Sequence, residues 1–144
     1  MTTSFRRPIL AAFACVAVLI FAAPVTAETI NLKADLKASN EVPPNDSKGT
    51  GAVTATYDTA AKKLTWKGSY SNLSGPVTAA HFHTGEAGKN GGVAIPIPGA
   101  DKPSFEGSAT LTDAQAADLM AGRLYVNVHT AANKAGEIRG QVVK

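Results

Sequence analysis

The sequence predicts an all-β domain: a Greek-key β-sandwich or barrel of about eight strands with one short helix. Three observations carry that expectation. Short segments rich in Val, Thr, Ile and Tyr recur at even spacing, punctuated by prolines and glycines, and all 13 glycines fall after residue 27. Several of those segments alternate apolar and polar residues, which leaves one face to bury and one to wet, as antiparallel strands do. Only one stretch carries both a helix start and a helix stop.

Strands are expected at Ile30–Ser39, Gly51–Asp58, Lys63–Leu73, Val77–His83, Val93–Ile97, Ser104–Leu111, Arg123–Thr130 and Glu137–Val143. In the first, Ile30, Leu32, Ala34 and Leu36 share a face, and Asn31, Lys33, Asp35 and Lys37 take the other. In the third, Leu64, Trp66, Gly68 and Tyr70 alternate with Thr65, Lys67 and Ser69. The aromatics Tyr57, Trp66, Tyr70 and Phe105 read as core rather than as a sugar platform. Before the seventh strand, Thr112 or Asp113 caps a helix whose body is Ala114 to Ala121. Gln115 sits near the capping-box position there, and Gly122 supplies a left-handed stop. Asn40–Lys48 and Thr84–Gly92 are the conspicuous polar loops.

Residues 1–27 read as a secretory signal peptide. Arg6 and Arg7 precede the apolar run Ile9–Ala23, and Val25 and Ala27 supply small residues for cleavage before Glu28. The run of 15 residues is short for a bilayer crossing, so the mature chain is expected to have no membrane span. It is expected in the periplasm or outside the cell. Removing 27 of the 144 residues leaves a single domain, 28–144, of 117 residues.

Composition then narrows the function. Taking Arg6 and Arg7 from 14 basic residues leaves 12 against 11 acidic ones, so the net charge falls from +3 to +1. With no run of like charge, electrostatic nucleic-acid binding is disfavoured. The single cysteine, Cys15, lies inside the apolar run, which continues through Val16–Ala23, so lipidation is disfavoured too. A mature domain without a thiol excludes disulfides, covalently bound haem, iron–sulfur clusters and thiol catalysis. Gly85, Gly88, Gly91 and Gly92 are not followed by Lys-Ser/Thr, so they read as a turn rather than a phosphate cradle. No Gly-x-Ser-x-Gly elbow or carboxylate pair is visible. Asn72-Leu73-Ser74 matches a glycosylation acceptor only in form.

The three histidines are the informative residues. His81 and His83 stand at i and i+2 of one strand, so they share a face and lie about 6.6 Å apart along it. Phe82 between them points the other way. On the seventh strand Leu124, Val126 and Val128 form the apolar face, which leaves Tyr125, Asn127 and His129 on the opposite one. If the two strands are neighbours, three imidazoles form one patch on the outside of the sheet. By the same parity Ile138 and Val142 look inward, and Glu137, Arg139 and Gln141 look outward. Such a patch would hold three imidazoles, a guanidinium and a carboxylate. Three neutral imidazoles suit Cu(II) or Zn(II) at about 2.0–2.1 Å, although a polar face with no metal satisfies the same pattern.

Four blocks resemble the CHRD domain, the module named after the signalling antagonist chordin. They are Leu36–Pro44 (LKASNEVPP), Leu73–Gly91 (LSGPVTAAHFHTGEAGKNG), Leu111–Gly122 (LTDAQAADLMAG) and Tyr125–Gln141 (YVNVHTAANKAGEIRGQ). The resemblance implies an immunoglobulin-like β-barrel with a faint likeness to the copper–zinc superoxide dismutases. It also implies protein interaction, since in chordin the domain accompanies growth-factor-binding modules. His81-Phe82-His83 is similar to the dismutase copper-binding His-x-His strand, and His129 to its late copper histidine. Arg139 falls near the position of an anion-guiding arginine. The bridging histidine, the zinc loop and the disulfide of those enzymes have no counterpart here. Three functions are therefore expected to compete. One is a non-enzymatic module binding an unknown protein or cell-surface partner. Another is a copper-binding protein using His81, His83 and His129, and the third is a dismutase-like copper redox enzyme.

Overall fold

The computed structural model describes residues 26–144, so the expected signal peptide lies almost wholly outside the described residues. Eight strands form one antiparallel sheet: β1 (Thr29–Lys37), β2 (Thr50–Asp58), β3 (Lys63–Ser71), β4 (Val77–Thr84), β5 (Val93–Pro96), β6 (Ser104–Thr110), β7 (Leu124–Thr130) and β8 (Ile138–Gln141). Their spatial order is β5-β4-β7-β8-β1-β2-β3-β6. The sheet curls into a nearly closed barrel. Trp66 on β3 and Phe82 on β4 stand near opposite ends of that order, yet their rings meet edge to face at 5.1 Å. Around them Leu64, Leu124, Val126, Val128 and Ile138 are fully buried. Tyr57, Trp66 and Phe105 are core, as their alternation predicts, and Tyr70 packs against them half-buried.

The one helix, α1 (Asp113–Met120), forms where both of its signals stand. Thr112 Oγ1 accepts the Gln115 backbone N–H, and the Gln115 side chain accepts the Thr112 N–H, which closes a capping box. At the other end Gly122 adopts φ +69°. The N–H groups of Gly122 and Arg123 bond back to the carbonyls of Leu119 and Asp118, a Schellman stop. The Gln115 amide also reaches the Ala94 carbonyl at 2.9 Å, so the helix is tied to β5.

Two halves of the barrel differ in what covers them. On β1 exposed and buried residues alternate along the whole strand, and β2 and β3 largely repeat the pattern. Every residue of β7 except His129 is buried, on both faces. This corrects the expectation of a patch lying open on the outside of the sheet. Loops cover β7 and β8, held by asparagine side chains. Asn40 Nδ2 donates to the Arg139 carbonyl, Asn45 Nδ2 to the Glu137 carbonyl and Asn90 Nδ2 to the Val42 carbonyl, at 2.8–3.1 Å. Glu137, 0 % exposed, accepts from Ser47 Oγ, Thr130 Oγ1 and both the backbone N–H and the hydroxyl of Ser74. Burial acts to raise its pKa, but the bonds from Ser47, Thr130 and Ser74 outweigh it and hold the carboxyl at about 2.

Candidate metal centre

The β4–β7 register brings the histidines together. His81 pairs with Asn127, His83 with Tyr125 and Ala79 with His129, so all three imidazoles lie on the outer face of one strand pair. On regular strands His129 would stand about 13 Å along β7 from the residue opposite His83. The ring centroids are instead 5.8 Å apart, with His81 at 5.5 Å from His83 and 5.3 Å from His129. The side chains lean together, and the pairing of β4 with its neighbours shifts on both sides of the site. Its pairing shifts between Val77 and Ala79 against β7, and between Phe82 and His83 against β5. Phe82 and His83, though adjacent on β4, are both buried.

Backbone carbonyls choose the tautomers. His83 Nδ1 lies 3.1 Å from the Gly91 carbonyl, and His129 Nδ1 lies 3.1 Å from the Lys134 carbonyl. A carbonyl can only accept, so both Nδ1 atoms carry the proton and both Nε2 atoms keep a free lone pair. Among the described residues, His83 Nε2, His129 Nε2 and His81 Nδ1 are buried with no hydrogen-bond partner. One nitrogen from each ring falls within 4.8 Å of the others. Three ligands of one ion at 2.0–2.1 Å stand about 3.3–3.6 Å from one another, so the rings would draw in by up to roughly 1.5 Å to close on a metal.

The environment disfavours protonation of His83 and His129. Burial lowers the pKa of His83, and the neighbouring His129, His81 and Arg139 lower it further against the opposing bond to Gly91. Burial also lowers that of His129, assisted by His81 and opposed by the bond to Lys134. Both imidazoles are therefore neutral at pH 7, the state a metal ligand needs.

The guanidinium and the carboxylate expected in the patch take other places. Glu137 is fully occupied by Ser47, Ser74 and Thr130. Arg139, 2 % exposed, lies with Cζ 3.4 Å over the Tyr125 ring and donates to Asn90 Oδ1 and the carbonyls of Glu86 and Lys89. A buried guanidinium with its donors committed to a loop is not placed to guide an anion, so that implied role is corrected. Three further residues shape the site. Tyr125 stacks on His83, Gly91 sets the tautomer of His83, and Asn127 binds the buried Glu41 carboxylate at 3.2 Å. Parity marks Tyr125 and Asn127 as sharing the face of His129, whereas nothing local marks Gly91 or Glu41.

A family model described as the CHRD domain matches residues 32–142. The chain belongs to the CHRD family. The match spans all four sequence blocks and all three histidines of the CHRD domain. No curated protein and no solved structure gives a match. Among the described residues no helix is long and apolar enough to cross a membrane.

Proposed function

We propose that this CHRD domain is an exported, non-enzymatic binding module that carries one three-imidazole metal site, with copper as the metal it takes. One observation supports the site above a plain polar face: three buried nitrogens without partners, one on each of three rings clustered at centroid distances of 5.3–5.8 Å. In a polar face without a ligand, one ring would turn to donate to another. Here the tautomers of His83 and His129 are set by carbonyls so that neither ring donates into the cluster, and their two buried lone pairs, clustered with the unpartnered Nδ1 of His81, favour a cation. His81, His83 and His129 would hold it. Three neutral imidazoles accept Cu(II) and Zn(II), and the order of divalent affinities puts copper first. Bound copper would supply a charged centre with coordination positions left for a donor from solvent or from a partner. The placement of Arg139 speaks against the dismutase-like alternative. Export to the periplasm or the cell exterior is part of the same reading, supported by residues 1–27.

The test is a Cu(II) titration of the metal-free mature domain with the variants His83→Ala and His129→Ala. One equivalent should bind at pH 7.5 and compete poorly below about pH 6, where protons contend for the imidazoles. Each variant should lose the site to a similar degree, because two imidazoles are no better than many surface pairs. If the unsubstituted domain holds copper no tighter than His83→Ala, the metal reading falls and an interaction module without metal remains.

A further inference from the structure

Tyr125 is 2 % exposed, yet it stands outside the hydrophobic core of the barrel, on the face that carries the histidines. Its ring lies 5.0 Å from that of His83 and is inclined by only 9° to it. The Arg139 guanidinium lies 3.4 Å from its centroid. Because β7 runs between β4 and β8, the imidazole approaches the phenol ring from one side and the guanidinium from the other. The hydroxyl closes the arrangement. Tyr125 Oη accepts the Gly91 N–H at 3.1 Å, while the Gly91 carbonyl accepts from His83 Nδ1 at 3.1 Å. One residue thus links the tyrosine to the tautomer of the ring it stacks on. Gly91 itself is required there, since a Cβ would stand 1.4 Å from the Thr84 carbonyl oxygen. Arg139 holds the far end of the same loop through Asn90 and the Glu86 and Lys89 carbonyls.

We infer that Tyr125, clamped by Arg139, is a positioning residue of the metal site. It sets the plane and the tautomer of His83 before any metal arrives, so that Nε2 already faces His81 and His129. The inference rests on the three-imidazole reading for its purpose, but its structural content stands in the metal-free protein. Partners that orient a ligand histidine through its other nitrogen tune metal affinity by about 10–100-fold. Here that partner is a glycine carbonyl, and the tyrosine keeps the carbonyl in place.

Long-range proton–nitrogen NMR of the metal-free mature domain at pH 8 reads the His83 tautomer directly, and Cu(II) titration with electron paramagnetic resonance reads its consequence. The unsubstituted protein should show one His83 tautomer, with the proton on Nδ1. Tyr125→Leu, checked for folding by its amide spectrum, should mix the two tautomers, weaken copper binding about 10–100-fold and change the copper spectrum. Tyr125→Phe keeps the stack but loses the bond from the Gly91 N–H, so it should fall between the original and Tyr125→Leu. Arg139→Lys retains the charge without the planar fork and should shift in the same direction as Tyr125→Leu, which provides a second variant should the leucine fail to fold. A single tautomer and unchanged copper affinity in the folded variants would overturn the inference while leaving the metal site standing. If the unsubstituted domain binds no copper, the metal reading fails and the tautomer measurement alone decides for or against the role of Tyr125.

Discussion

Glu41 gives the sharpest pH prediction. It is 6 % exposed, and its Oε2 accepts from Asn127 Nδ2 at 3.2 Å. Its Oε1 and Asn127 Oδ1 are both buried, and neither finds a partner among the described residues. Both converge on Gly136, where a Cβ would meet Oδ1 at 2.4 Å and Oε1 at 2.7 Å. A single proton on Oε1, donated to Asn127 Oδ1, would satisfy both atoms and close a cyclic pair of acid and amide. Burial drives the carboxyl that way, raising its pKa from 4.5 to about 7 against the lowering influence of Arg139 and Asn127. A folded pKa above the unfolded one means that the stability is fully present below about pH 4.5 and is lost as pH rises through about 7. At about 1.4 kcal/mol per pH unit, ionising Glu41 costs the fold about 3 kcal/mol by pH 8–9. Glu41→Gln presents the shape of the protonated acid, with an N–H for Asn127 Oδ1. The variant should exceed the original protein by about 1 kcal/mol near pH 5 and by about 3 kcal/mol, or roughly 10 °C in Tm, near pH 8.5. Denaturant titrations of both metal-free proteins in chelator across pH 5–9 read the difference. Parallel pH profiles for the two proteins would refute the buried-acid assignment.

Other expectations follow from packing and from the N-terminal sequence. Phe82→Ala should cost about 3–5 kcal/mol in denaturant unfolding, because the ring is fully buried against Trp66 and its loss leaves a cavity. A cost near 1 kcal/mol would show that the barrel collapses around the gap. Mass spectrometry of the exported protein should find Glu28 at the amino terminus, and a retained Met1 or a lipid on Cys15 would end that reading.

Period-two patterning made most of the barrel legible. Strand limits read from alternation differ from the observed ones by a residue or two, as at β1, where the short 3-10 turn Ala38–Asn40 ends the strand at Lys37. Thr112, Gln115 and Gly122 specify the helix almost without tertiary help, since each acts on backbone groups within its own turn. Parity also placed Tyr125, Asn127 and His129 on one face, and the register confirms that neighbouring β4 puts His81 and His83 on the same side. Parity says which way a side chain points relative to the sheet. It does not say whether that direction leads to water.

The roof over β7 is the part that could not be read, and it changes the chemistry of the site. The loops 40–48 and 84–92 look polar and therefore exposed. Their asparagines spend their amides on carbonyls of Glu137, of Arg139 in β8 and of the other loop, which lets polar loops lie flat on a polar face. Covering the face buries His83 and lowers its proton affinity. It also brings in the Gly91 carbonyl, eight residues along the chain from His83, to choose the tautomer. Both effects act through contacts between segments far apart in sequence, as Arg139 with Asn90 shows. An exposed His-x-His would be protonated below its ordinary pKa and free to rotate. The same two residues under a roof, with a third ring brought in by register and a tyrosine stacked on one of them, hold three unpartnered ring nitrogens together before any ligand is present.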